Sequence, residues 1–271
     1  MYTAFVTGAG SGFGRATTRR LLEAGHRVVA SDLAVDGWER GLGGGDHLWV
    51  APLDVRDGAA VARLAAEVLA RWPVDVVVNN AGYGLFGAQE ELPTEAFAAL
   101  LDVNVLGPAR VTRALLPSLR ATGGVVVQLA SVAGRTVFPE SGFYAASKHA
   151  LEAMSEALVQ EVAPFGVRVR VIEPGSFDTR FLARAAEVSP PAPTDSPYAA
   201  ARVRWTAARQ EVLEPPQDPE LVAAAIVASL DDPAPYRRIP VGPDAERILA
   251  LRDALGPHAW TRLAADRAGY T

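Results

Sequence analysis

Short apolar runs rich in Val and Ile alternate along this chain with longer segments that carry apolar positions at helical spacing. The strand-like runs cover residues 4–7, 27–31, 47–51, 74–78, 125–129, 167–172 and 238–241. Helical patterns separate most of them, over residues 14–24, 58–71, 95–122, 144–163 and 219–230. Runs such as Val76-Val77-Val78 show no polar alternation. They read as strands buried on both faces, and their alternation with helices predicts an α/β fold with a doubly wound parallel sheet. One connection is unusual. Between Asp32 and Asp46 stand Gly37, Gly41, Gly43, Gly44 and Gly45, so only a short crossover helix is expected there. Residues 189–219 change composition, with several prolines around a patch of Ala and Arg, and read as an irregular insertion. A helical tail is expected over 244–268. The whole chain, 1–271, reads as one domain.

Composition narrows the partners. The net charge is −5, which disfavours nucleic acid as a bulk electrostatic partner. There is no cysteine, which fits a reducing cytoplasm. Met1-Tyr2-Thr3-Ala4-Phe5-Val6 runs straight into the first strand, without a basic region and apolar leader before it. No apolar run approaches a membrane span, so neither export nor membrane insertion is expected. The four histidines, His26, His47, His149 and His258, lack metal-ligand spacing, and no metal site is expected.

The first strand closes on Thr7-Gly8-Ala9-Gly10-Ser11-Gly12-Phe13-Gly14, which opens the first helix. Glycines there let the backbone turn tightly and approach a pyrophosphate, while the helix N-terminus offers amides and a positive dipole. A plain tight turn is the alternative reading. Asp32 ends the second strand, where a carboxylate would bond ribose hydroxyls and repel a 2′-phosphate. Leu33 follows it, with no Arg to receive that phosphate. NAD is therefore expected over NADP, unless Asp32 serves only as a turn or cap residue.

The basic residues supply a second signal. Of 26, all but one are Arg, and the single Lys is Lys148. Tyr144 stands four positions before it. With six Tyr in 271 positions, chance places one at that offset about 2% of the time. Arg is a planar fork, whereas Lys is a compact ammonium on a flexible stem. At i and i+4 the two side chains share one helical face. An ammonium beside a phenol favours the phenolate, so the pair reads as a general acid/base device with a lowered Tyr pKa.

Taken in order, these motifs resemble the short-chain dehydrogenase/reductase family over roughly residues 3–179. Thr7, Gly8, Gly12 and Gly14 match its glycine motif, with Phe13 where Ile is usual. Asp54-Val55 matches its adenine-contacting pair, and Asn79-Asn80-Ala81-Gly82 its motif after the fourth strand. Asn104, Ser131, Tyr144 and Lys148 match its catalytic residues, although Ala130 replaces the commoner Ser before Ser131. Pro174-Gly175 and Thr179 match its nicotinamide-side loop. A looser likeness, over residues 79–87 and 173–181, is to bacterial members similar to 17β-hydroxysteroid and retinol dehydrogenases.

The resemblance implies a Rossmann fold with NAD held by Gly8, Ser11, Gly12, Phe13, Gly14, Asp32, Leu33, Asp54, Val55, Asn80, Ala81, Gly82, Tyr144, Lys148, Pro174, Gly175 and Thr179. It implies Tyr144 as acid/base, Ser131 as donor to the substrate oxygen, Lys148 on the nicotinamide ribose, and Asn104 holding a relay water. Asn79 and Asn80 also suit structural turns. Tyr83, Leu85, Phe86, Val137, Phe138, Phe177, Phe181 and Trp205 are expected to line an apolar pocket for a lipophilic alcohol or ketone. The 189–219 insertion would be its mobile lid. Its Arg202, Arg204 and Arg209 read as a solvated face or as a site for an anionic substrate group. A homodimer or homotetramer built on residues 104–122 and 144–163 is implied. Two other classes stay open: an NADPH-dependent carbonyl or acyl-thioester reductase, and a cofactor-binding regulator without turnover.

Overall fold

The computed structural model describes residues 1–35, 37–212 and 216–270. Seven parallel strands form one sheet in the order β3-β2-β1-β4-β5-β6-β7. They are β1 (Thr3–Thr7), β2 (Arg27–Asp32), β3 (Leu48–Pro52), β4 (Val76–Asn79), β5 (Val125–Leu129), β6 (Arg168–Pro174) and β7 (Tyr236–Val241). The expected doubly wound α/β architecture is present as a single domain.

Alternation along each strand divides the core into two layers. Phe5, Val29, Val77 and Val126 point toward Val61, Leu64 and Val68 of α2 (Gly58–Leu69) and Val111, Leu115 and Leu119 of α4 (Gly107–Thr122). Ala4, Val6, Val28 and Val127 point the other way. They meet Leu21 of α1 (Gly12–Glu23) and Val222 and Ile226 of α8 (Glu220–Ser229). A strand covered on both faces has no wet side, which is why the valine runs lack polar alternation. Each buried Val contributes on the order of 1.5–3 kcal/mol of burial free energy.

Chain direction away from the centre reverses between β1 and β4. Adjacent crossovers there lie on opposite faces and leave a crevice at the carboxyl ends. Five of the candidate motifs follow such an end: Gly8 after β1, Leu33 after β2, Asn80 after β4, Ala130-Ser131 after β5 and Gly175 after β6.

Three expectations change. The helix expected over 95–122 is α3 (Thr94–Leu101), a π-helical turn over Asp102–Leu106, and then α4. The glycine-rich stretch after Asp32 forms no crossover helix but a single 3-10 turn, Gly45–His47, because its glycines take left-handed φ values that helices exclude. The 189–219 segment is not irregular throughout. It holds α7 (Ala199–Val212), a 14-residue helix; residues 213–215 lie outside the described residues. Its prolines, Pro190 to Pro197 and Pro215 to Pro219, bracket a run of good helix formers rather than interrupt it. Before it comes α6 (Phe181–Val188), and after β7 comes α9 (Pro243–Ala268), kinked at Gly256 with φ +72°. The long helix between β5 and β6 is α5 (Gly142–Val162). Among the described residues no helix is long and apolar enough to cross a membrane.

Candidate active site

The glycine turn has no room for side chains where it meets its neighbours. A Cβ on Gly14 would stand 2.1 Å from the Gly8 carbonyl oxygen, and one on Gly8, at φ +65°, 2.8 Å from Asn80 Nδ2. That amide donates to the carbonyls of Thr7 and Gly8, both at 2.9 Å. Thr7 Oγ1 accepts from the backbone N–H groups of Asn80 and Ala81, each at 3.1 Å. Thr7 and Asn80 thus stitch the ends of β1 and β4 together across the crevice. Asn79 is buried and donates to Thr112 Oγ1 at 2.9 Å, a purely structural tie to α4. Ser11 caps α1 by position, with its side chain free of cap bonds and exposed. Phe13 packs edge-on against Phe177 at 5.3 Å.

Asp32 accepts from Gly10 N and from Leu33 N, each at 2.7 Å, which fixes its carboxylate against the turn. Any Cβ at Gly10 would come within 2.8 Å of that carboxylate. The Leu33 side chain is exposed. Asp54 forms an ion pair with Arg56 at 2.7 Å, and this bond holds its carboxyl below the usual range. Val55 is buried against Gly107, where a Cβ would sit 2.7 Å from it.

Asn104 lies within the π turn and is buried. Such a turn widens the helix locally and is often found at functional sites. Its amide donates to Tyr83 O at 2.9 Å and Ser147 Oγ at 3.1 Å, and its Oδ1 accepts from Tyr83 N at 3.1 Å. One side chain therefore joins the loop after β4 to α5. Gly82 passes close by; a Cβ there would be 3.0 Å from Asn104 Oδ1 and 3.8 Å from Lys148 Nζ.

Tyr144 and Lys148 lie one turn apart on α5, both buried. Lys148 Nζ donates to Leu129 O at 2.6 Å and stands 5.9 Å from the Tyr144 ring centroid. Burial pushes the Tyr144 phenol up to about 12, and the Ser131 hydroxyl partly offsets this. The expected lowering of this phenol is therefore not a property of the chain alone: the ammonium is turned to the strand carbonyl rather than to the ring oxygen. Burial also brings Lys148 down to about 8, countered by the carboxylate of Glu152. Ser131 caps the 3-10 turn Val132–Gly134, with its Oγ accepting from Ala133 N at 3.1 Å.

Ser131, Tyr144 and Lys148 open onto one cavity of about 210 Å³. Phe86, Phe138, Phe177, Phe181 and Trp205 line it as expected. Tyr83 and Leu85 do not; they pack with Leu92 and Leu100 behind it. Val137 is exposed outside the lining. Pro174, Gly175 and Thr179 form its far wall, and Thr179 approaches the glycine turn, 3.3 Å from where a Gly12 Cβ would lie.

Several supporting residues carry no sequence signal. Asp244, buried at the start of α9, accepts from Ser176 N at 2.7 Å and Ala245 N at 2.9 Å. It packs so closely that a Cβ on Gly175 would fall 2.1 Å from it. Against α5 lies a partly buried charge cluster. Glu173 precedes Pro174 at the end of β6, fully buried, with Arg135 at 3.7 Å, an ion pair too long for a hydrogen bond. Burial pushes Glu173 up to about 7, reinforced by Glu152. Glu152, one turn beyond Lys148, pairs with Arg238 at 2.9 Å.

The sheet order, the glycine turn at its switch point and the phenol–amine pair on one cavity define a class: nucleotide-dependent oxidoreductases of the doubly wound kind. A family model described as short chain dehydrogenase matches residues 2–189, and the chain belongs to that family. A solved short-chain dehydrogenase from Streptomyces avermitilis is 37% identical, with a TM-score of 0.81 and 98% of each chain covered. Retinol dehydrogenase 16 of Homo sapiens is 41% identical over 195 residues, which is 68% of this chain and 61% of that protein. An alcohol dehydrogenase from the archaeon Thermococcus sibiricus, solved complexed with 5-hydroxy-NADP, is 28% identical, with a TM-score of 0.71, 89% of this chain and 95% of that one covered.

Proposed function

We propose that this oxidoreductase moves hydride between NAD(H) and a lipophilic secondary alcohol or ketone, with Tyr144 as general acid/base. The observation that carries the reading is the placement of Ser131, Tyr144 and Lys148 on one wall of an otherwise apolar cavity. The nicotinamide, when bound, supplies or accepts the hydride. The chain supplies the rest. Ser131 donates to the substrate oxygen and holds it against the Tyr144 hydroxyl. Tyr144 gives its proton to a ketone oxygen, or takes one from an alcohol. Lys148 releases Leu129 O to bond ribose hydroxyls and to place its charge behind the phenol. Asn104 keeps the loop after β4 in register with α5 and holds the water that links Lys148 to solvent.

The glycine turn suits a pyrophosphate, since Cβ atoms at Gly8 and Gly14 would fill the space the backbone needs. Leu33, Asp54, Val55, Ala81 and Gly82 extend the same cradle toward the adenine and nicotinamide ends. Asp32, held by two backbone donors beside exposed Leu33, supports NAD over NADP. The measurement is the ratio of kcat/KM values with the two cofactors. A preference for NADPH would remove the NAD assignment while leaving the reaction type intact. The α7 segment serves as the lid, and self-association uses the outer faces of α4 and α5, measurable by light scattering as a dimer or tetramer.

A further inference from the structure

The cavity holds one charge that nothing among the described residues matches. Its lining contains no carboxylate and two cations among the described residues, Lys148 and Arg209. Lys148 donates to Leu129 O and is assigned above to the cofactor ribose. Arg209 has no hydrogen bond or ion pair to any described residue, and it is half-buried. The other two arginines of α7 are engaged. Arg202 pairs with Glu91 at 2.7 Å and Glu140 at 2.5 Å, and Arg204 donates to Ala268 O at 3.1 Å.

Arg209 also breaks a pattern. Ala201, Trp205 and Arg209 stand at successive i+4 positions of α7 and form its inward stripe. The first two are buried, and Trp205 stacks on Phe138 at 5.7 Å. The third position calls for an apolar side chain and carries a guanidinium. Beyond α7, Gln217 N donates to Ser176 O at 3.1 Å, and Asp178 N donates to Gln217 O at 2.8 Å. A guanidinium drawn out of water with no partner is costly, and the planar fork matches a carboxylate or phosphate.

We propose that Arg209 binds an anionic group, a carboxylate or phosphate, carried by the substrate. The cavity then takes an amphiphile: an apolar body against Phe138, Phe181 and Trp205, a reacting carbinol or ketone carbon at Tyr144, and a charged end at Arg209. The proposal rests on the reading of this cavity as the substrate site, and the cofactor's pyrophosphate is the competing anion.

The experiment has three arms, run on the full chain and on Arg209→Leu and Arg209→Lys. Medium-chain keto acids and their methyl esters are compared by kcat/KM. The expected result is a preference for the acids of about 10- to 100-fold, from one charge-assisted bond. This preference falls toward unity in Arg209→Leu and is kept in part by Arg209→Lys. Binding of octanoate against 1-octanol, followed calorimetrically without turnover, is expected to show the same loss. NADH affinity, from fluorescence titration, is expected to stay within about twofold. Equal rates for acid and ester in the unaltered chain overturn the proposal. So does a loss of NADH affinity in Arg209→Leu with the acid preference intact, which assigns the guanidinium to the pyrophosphate. If octanoate binding depends on Arg209 but no alcohol or ketone is turned over, the anion site stands and the proposed reaction falls.

Discussion

Tyr144 is a buried phenol whose proton is held more firmly than in water, at about 12, while Lys148 behind it loses charge near 8. Under the proposed reaction, a protonated Tyr144 suits ketone reduction at neutral pH, because that direction needs an acid. Alcohol oxidation needs the phenolate and is expected to gain with rising pH, at least until Lys148 is neutral. Initial rates in both directions from pH 6 to 10 test this, and an oxidation rate that falls over pH 6 to 8 would contradict it. Tyr144→Phe removes the proton without disturbing Phe86 and Phe181 around the ring, at 5.5 Å and 5.4 Å. Its kcat is expected to drop by ~10²–10⁴-fold at unchanged Tm. Retention of most turnover would remove Tyr144 from the mechanism. The lone lysine made this residue visible in the sequence. The state of its proton was not legible there, because it depends on burial and on which carbonyl Lys148 faces.

The elements show where local pattern suffices and where it fails. Strands buried on both faces, such as β4 and β5, announce themselves as valine runs, while the edge strands β3 and β7 were legible as short apolar runs between helical patterns. The π turn at Asn104 was not, since one extra residue per turn hardly alters an apolar period. The helix α7 was hidden by flanking prolines, and the engagement of Arg202 and Arg204 by partners distant in sequence. The glycine turn allows a sharp test of element packing. Gly14→Ala drives a methyl into the Gly8 carbonyl, where the close approach is 2.1 Å. The expected cost is about 1–3 kcal/mol, a fall in Tm of ~2–4 °C for each kcal/mol, with weakened cofactor binding. At the opposite wall, Asp244→Ala leaves Ser176 N and Ala245 N without their acceptor. A loss of about 1–3 kcal/mol is expected, read by denaturant unfolding, together with a raised KM for the cofactor as the Gly175 loop loosens.

Across the whole molecule, the partly buried cluster of Glu173, Arg135, Glu152 and Arg238 ties together three segments that carry the site: the turn after Ser131, the helix of Tyr144 and Lys148, and the loop at Pro174. These residues lie far apart in sequence, which is why no local motif reveals them. The cluster makes stability depend on pH. Glu173 rises from an ordinary 4.5 to about 7 in the fold. Between those values the native state binds more protons than the unfolded chain, so stability is fullest below 4.5 and is lost as pH rises through 7. Glu152, also raised by burial, acts with the same sign. Glu173→Gln is expected to flatten the dependence of Tm between pH 5 and pH 8. An unchanged slope in that variant would show that Glu173 does not govern it.

Lys148 is the only side-chain amine in the chain, and it is buried under the cavity floor. A lysine-specific endoprotease therefore has a single cleavage point, after residue 148, and reaches it only when α5 opens. Digestion yields two fragments or none, which turns the lysine into a built-in clock for unfolding. Its rate reads the opening of that helix, and any slowing on addition of a nicotinamide nucleotide measures how far the nucleotide locks the helix in place.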